Sequence, residues 1–154
     1  MSENILRGAI QKVATGPEFS KNISEEDSYH SMLDILGSDV DSVQAAIYLI
    51  ALRMKRETMD ENIGSLKALI DKSNIITSSV DEVIDIAEPY NGFLRNTPMS
   101  AFLPAVFSSV GLPCVTHGVE TVGPKFGLTI KKILKTAGIN VDQDVESAAS
   151  ALST

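Results

Sequence analysis

The sequence predicts an α/β protein: an N-terminal four-helix domain followed by the start, a βαβ unit, of a mostly parallel α/β domain. Three observations carry this reading. Apolar residues recur at helical spacing in four successive segments up to Asn74, each bounded by a cap or a breaker. Two short β-rich runs, 83–87 and 112–116, then flank one helix-like stretch, and parallel strands need such a crossover between them. Finally, 44% hydrophobic and 21% charged residues over 154 positions describe a folded chain, long enough for one ordinary core or for a small helical domain leading into part of a second.

The first helix is expected over residues 4–14, with Ile5, Leu6, Ile10 and Val13 at helical spacing and Gly16-Pro17 ending it. Ser24 with Asp27 resembles a capping box for the second, whose apolar face is Met32, Leu33 and Leu36 and whose end is Gly37. Asp41 with Gln44 caps a third through Met54, apolar on so much of its circumference that enclosure on most sides is expected. Its last turn holds Arg53, Lys55 and Arg56, cations that suit the negative end of the helix dipole. Thr58 with Glu61 makes a full capping box for the fourth, with Ile63, Leu66, Leu69 and Ile70 as its buried stripe and Ser73-Asn74 at its end.

After the Ser78-Ser79 linker come the first strand, a loop, and a helix for which Thr97 is the expected N-cap and Pro98 the first helical residue. Pro104 should kink that helix or delay its start. Gly111 ends the segment, the second strand follows, and a last helix over 128–137 is closed by Gly138. The expected domains are therefore 1–78, helical; 79–139, the beginning of an α/β domain; and 140–154, a polar acidic tail or a continuation cut short. A two-stranded parallel sheet is not stable alone, so its missing strands are expected from a longer chain.

A formal net charge of −7 argues against a generally basic nucleic-acid surface. Cys114 is the only cysteine, which excludes an intrachain disulfide and, with no signal-peptide pattern at the N-terminus, leads us to expect a cytoplasmic protein. The longest apolar run, 45–52, is too short to span a bilayer, so no membrane partner is expected. Nucleotide-loop, Cys-x-x-Cys and His-Glu-x-x-His motifs are absent, and His30 and His117 fall on separate segments, so no metal site is expected.

Chemistry is expected where the two strands end. In open α/β sheets ligands bind beyond the carboxyl ends of the strands, which makes neighbours of the loops 88–92 and 116–125. Tyr90 could stack on a ligand while Asn91 and Gly92 present amides to it, although Pro and Asn-Gly also make ordinary turns. His117-Gly118 could be structural or donate to an anion, and Asn96 precedes a helix N-terminus, which offers free N–H groups to phosphate.

The segment 45–58, with Leu-Arg-Met-Lys-x-Glu-Thr at its end, resembles the helical domain of the anthranilate phosphoribosyltransferase and glycosyltransferase family 3 group. Asn96, the run 110–118 and Lys125-Phe126-Gly127 resemble that family's first βαβ unit and its Lys-His-Gly-Asn-Arg loop. The resemblance covers nearly all of the chain and about the first half of such an enzyme. It implies a homodimer through the helical domain and phosphoribosyl pyrophosphate with magnesium as ligands of the full-length protein, with no cofactor for this chain alone. It also implies phosphate or ribose contacts from Asn96, His117, Gly118 and Lys125, and acceptor contacts from Tyr90, Asn91 and Gly92.

The family's phosphate loop, Gly-Thr-Gly-Gly-Asp, is replaced by Glu88-Pro89-Tyr90-Asn91-Gly92; its Lys, Asn and Arg around His-Gly are Thr116, Val119 and Glu120. A Glu for a phosphate-binding Arg exchanges a charge-assisted hydrogen bond, worth ~1.5–3 kcal/mol, for repulsion. Two readings follow. One is a divergent transferase moving a (phospho)ribosyl group to an aromatic or nucleobase-like acceptor, incomplete and inactive as this chain. The other is a non-catalytic binding or assembly protein on the same scaffold, with nucleic acid as a partner of its full-length form that the acidic balance disfavours.

Overall fold

A computed structural model describes residues 3–87 and 91–153, and the chain divides into two compact units, 1–74 and 75–154. In the first, α1 (Glu3–Val13), α2 (Glu25–Ile35), α3 (Ser42–Lys55) and α4 (Met59–Lys72) follow in order. Their starts are set by side-chain oxygens that satisfy otherwise orphaned N–H groups. Ser24 accepts from the Asp27 amide, Asp41 from those of Val43 and Gln44, and Thr58 and Glu61 form the complete box. Leu6, Ala9 and Val13 of α1 pack with Ile23 and with Tyr48 and Leu52 of α3 to make the core.

Three expectations about faces are corrected. The buried side of α2 is not its apolar triplet but Ser28 and Ser31, because α2 meets α4 at Gly64, where an added Cβ would stand 2.2 Å from the Glu25 carbonyl oxygen. At so close a crossing only small side chains fit, and Ser28 donates to the Glu61 carbonyl at 2.7 Å. Correspondingly, α4 buries Glu61, Gly64 and Ala68, while Leu66, Leu69 and Ile70 are exposed. Nor is α3 enclosed: Tyr48 and Leu52 face the core, while Val43, Ile47, Ile50 and Met54, spaced four, three and four residues apart, lie exposed along its other side. The pattern of α3 is apolar on both faces, and only one of them meets the rest of this unit.

In the second unit β1 (Ile84–Ala87) and β2 (Cys114–His117) form a two-stranded parallel sheet, with Ile84 opposite Cys114 and Ala87 opposite His117. The crossover holds a 3-10 turn, Met99–Phe102, and α5 (Leu103–Ser109). Thr97 is not a cap here: Pro98 flanks the 3-10 turn with no side-chain bond, and Pro104 lies in the first turn of α5, so it delays the α-helix instead of kinking it. Helix α6 (Ile130–Thr136) is capped by Thr129, and its Ile130 and Ile133 enclose Ala101 of the 3-10 turn. Residues 140–154, expected to be a polar acidic tail or a continuation cut short, contain α7 (Val145–Ala151), because Asp144 accepts from the Ser147 amide at 2.8 Å and small helix-forming residues follow.

Candidate functional site at the carboxyl rim of the sheet

Both strands end level with one another, at Ala87 and His117, so the segments after them start side by side. The first continues into Asn91 and Gly92, and the second runs through Gly118 to Gly127. They are joined by an antiparallel bridge in which the Phe93 amide donates to Leu128 at 2.9 Å and the Leu128 amide to Phe93 at 2.8 Å. The Gly127 amide lies 3.3 Å from the Asn91 carbonyl.

That join depends on two glycines. Gly92 has φ +91°, and a Cβ there would stand 2.4 Å from the Gly127 carbonyl carbon; a Cβ on Gly127 would stand 2.6 Å from that of Gly92. Two backbones approach so closely only where neither residue carries a side chain. The clasp brings together the loops expected to carry Asn91 and Lys125. Lys125 itself is exposed in the turn after the cis Gly123-Pro124 bond.

His117 projects from the end of β2, exposed, with its Nδ1 3.2 Å from Oδ1 of Asp85. Asp85 drew no attention in the sequence. Its signal was present, since a charged residue between Ile84 and Ile86 in a half-buried strand must face solvent, on the side its strand neighbour shares. Gly118 is exposed just beyond. Asn96 lies exposed in the bend ahead of the 3-10 turn, a place with no α-helical N-terminus of its own. Tyr90, with Glu88 and Pro89, falls outside the described residues.

Glu120 is drawn toward α6: Lys135 approaches its carboxylate at 3.4 Å, and Thr129 donates to its carbonyl at 3.1 Å. Lys132 donates to the Gly127 carbonyl at 3.3 Å, placing another cation at the clasp. Cys114 is buried in β2, where desolvation and then the charge of Asp85 push its thiol up, away from nucleophilic character. Among the described residues no three His, Cys, Asp or Glu side chains are placed to hold a metal ion, and no helix is long and apolar enough to cross a membrane.

A second cluster, in the helical unit, adds to the expected Thr58–Glu61 box a pairing that was not anticipated. Lys55 is not a solvated cation of a helix end. Its Nζ bonds Oε2 of Glu61 at 2.9 Å and Oδ1 of Asn22 at 2.8 Å, while Glu61 also accepts from the amides of Ile23 and Thr58 at 3.0 and 2.7 Å. Lys55 and Thr58 of the Lys-x-Glu-Thr run thus meet Glu61, beyond the run, in a structural node joining α3, α4 and the chain before α2.

The chain thus combines a helical unit built around this node with an α/β unit whose parallel strands lead into loops that meet at glycines. Residues 7–73, most of the helical unit, match the family described as glycosyl transferase family, helical bundle domain. The likeness of the chain to anthranilate phosphoribosyltransferases extends through both units. The chain is 31% identical to that enzyme of Methanothermobacter thermautotrophicus over 134 residues, 86% of this chain and 38% of the relative. With the enzymes of Geobacillus kaustophilus and Bacillus caldotenax it shares 29% over 150 residues, 97% of this chain and 42% and 59% of theirs. The chain thus spans about two to three fifths of the length of these relatives.

Proposed function

We propose that this chain furnishes part of a glycosyltransferase site that moves a phosphoribosyl or ribosyl group from phosphoribosyl pyrophosphate to an aromatic or nucleobase-like acceptor. The observation that carries the proposal is the shared rim, where level strand ends and the Gly92–Gly127 clasp bring the Asn91 and Lys125 loops beside His117, in a chain similar nearly throughout to enzymes named for phosphoribosyl transfer. Asn96, His117, Gly118 and Lys125 contact phosphate or ribose, and Tyr90, Asn91 and Gly92 contact the acceptor. Positioning and electrostatic stabilisation of an oxocarbenium-like centre supply the rate. The pairing of Glu120 with Lys135 reduces the repulsion that Glu120 would direct at a phosphate. The described residues make no magnesium cage, so the ion enters the proposal only as the counter-ion of the pyrophosphate.

In this reading residues 1–78 form the dimerisation domain and 79–139 begin the phosphoribosyl-binding domain. The chain alone does not turn over, because it covers a minor to middling share of its relatives' length. The test is calorimetric titration of the protein with phosphoribosyl pyrophosphate and magnesium. Saturable binding is expected, weakened by His117→Ala and by Asn96→Ala, each of which removes one hydrogen bond. A folded protein that binds none of it would overturn the proposal.

A second reading, an assembly protein without catalysis, is favoured by the apolar stripe Val43, Ile47, Ile50 and Met54 left open on α3. The stripe suits a second copy of the same chain, and a homodimer is compatible with either reading. Nucleic acid remains the weaker partner at a net charge of −7.

A further inference from the structure

Asp85 and His117 belong to different strands, and their pairing follows from the register. Asp85 lies opposite Val115, and Ala87 opposite His117, so all four side chains project from one face of the sheet. Asp85 and His117 are diagonal neighbours on that face, and Oδ1 reaches Nδ1 at 3.2 Å. The side chains are 51% and 69% exposed, so the contact adds little to folding. It sits instead at the strand end where the two rim loops begin.

An ionised carboxylate can only accept, so its nearness favours the proton on the nitrogen that faces it. With Nδ1 protonated, neutral imidazole has its lone pair on Nε2, the atom remote from β1. We propose that Asp85 is a positioning residue that holds His117 as the Nδ1–H tautomer, so that Nε2 receives an O–H or N–H group of the substrate and not a phosphate oxygen. This rests on the transferase reading above and narrows it: of the phosphate and ribose roles open to His117, the pair selects a proton-donating partner, either a ribose hydroxyl or an acceptor N–H. If the partner is an acceptor N–H, the balance is simple. The nitrogen forms a bond to the ribose anomeric carbon, the bond from that carbon to pyrophosphate breaks, pyrophosphate leaves with the electron pair, and the nitrogen's proton passes to Nε2.

The tautomer can be read without any ligand, from the side-chain 15N shifts of His117 in the labelled chain, recorded at about pH 8.5. The expected result is protonated Nδ1 in the wild type and a shift of the proton to Nε2 in Asp85→Ala, with the thermal midpoint unchanged. Protonated Nε2 in the wild type, or a tautomer indifferent to Asp85→Ala, would overturn the proposal. The same resonance then identifies the partner: a response to ribose 5-phosphate marks a hydroxyl, a response to 2-aminobenzoate marks an acceptor N–H, and a response to inorganic pyrophosphate, or to none of the three, overturns the ligand assignment. Loss of the transferase reading in the calorimetric test leaves the ligand-free tautomer as it was, so the two failures are distinguishable.

Discussion

Lys55 and Glu61 form an ion pair of 2.9 Å whose side chains are only 6% and 0% exposed, tying the end of α3 to the first turn of α4. Burial alone would raise the Glu61 carboxyl, but the Lys55 hydrogen bond and the amides of Thr58 and Ile23 outweigh it and hold the group below its ordinary value of 4.5. Removing one partner strands a buried charge. Lys55→Met is therefore expected to cost about 3–5 kcal/mol in urea unfolding, and an unchanged midpoint would refute the pairing.

The same pair sets an acid limit. A carboxyl depressed by folding contributes stability that is fully present above its unfolded value of about 4.5 and is lost as pH falls through the folded value. Acid titration of the helical unit should show this loss in the wild type. In Glu61→Gln the unfolding free energy should be lower at pH 7 and flatter below about 4.5.

Gly64 sits mid-helix in α4, where alanine would raise intrinsic helix stability by about 1 kcal/mol. Its added Cβ, however, would meet the Glu25 carbonyl oxygen at 2.2 Å and the amide of Tyr29 at 2.9 Å, backbone atoms that cannot rotate aside. We expect the clash to win, with a net loss of about 1–3 kcal/mol for Gly64→Ala. Thermal melts that instead rise would show that α2 and α4 lie farther apart.

Gly127→Ala should open the clasp at Gly92. The measurable consequence is local: faster hydrogen exchange at the amides of Phe93 and Leu128, which bond each other across the bridge, with the exchange of α1 to α4 unaltered. Uniform exchange across both sites would contradict the contact.

If a second copy covers the open side of α3, Ile50→Glu and Met54→Glu will shift sedimentation from dimer toward monomer without loss of helix content, since both side chains lie outside the core. Monomeric wild type at high concentration would remove the dimer from the proposal.

Caps and breakers were legible because they act within three or four residues. The boxes at Ser24, Asp41 and Thr58 and the stops at Gly111 and Gly138, with φ +81° and +80°, are local chemistry. So was the parallel pair, whose alternating short runs flank one crossover. What failed was the assignment of faces. Periodicity shows that α3 and α4 have apolar sides, but it does not say which side meets a neighbour, and the approach of α2 to Gly64 gave the buried side of α4 to small and charged residues.

The candidate site shows the same division. The places of His117 and Asn91 at the strand ends could be read from the sequence, and Lys125 was named through the resemblance, whereas the Asp85–His117 pair and the Gly92–Gly127 clasp were not anticipated, because each joins residues more than thirty positions apart. By itself the sequence determined the order of the first four helices, the caps of α2 to α4 and the parallel pair of strands, all consequences of local hydrogen bonding and hydrophobic period. Only the tertiary structure decided that Lys55 is a buried partner of Glu61, that an apolar face of α3 stays open, and that His117 lies beside Asp85, because burial and pairing are properties of the space between segments.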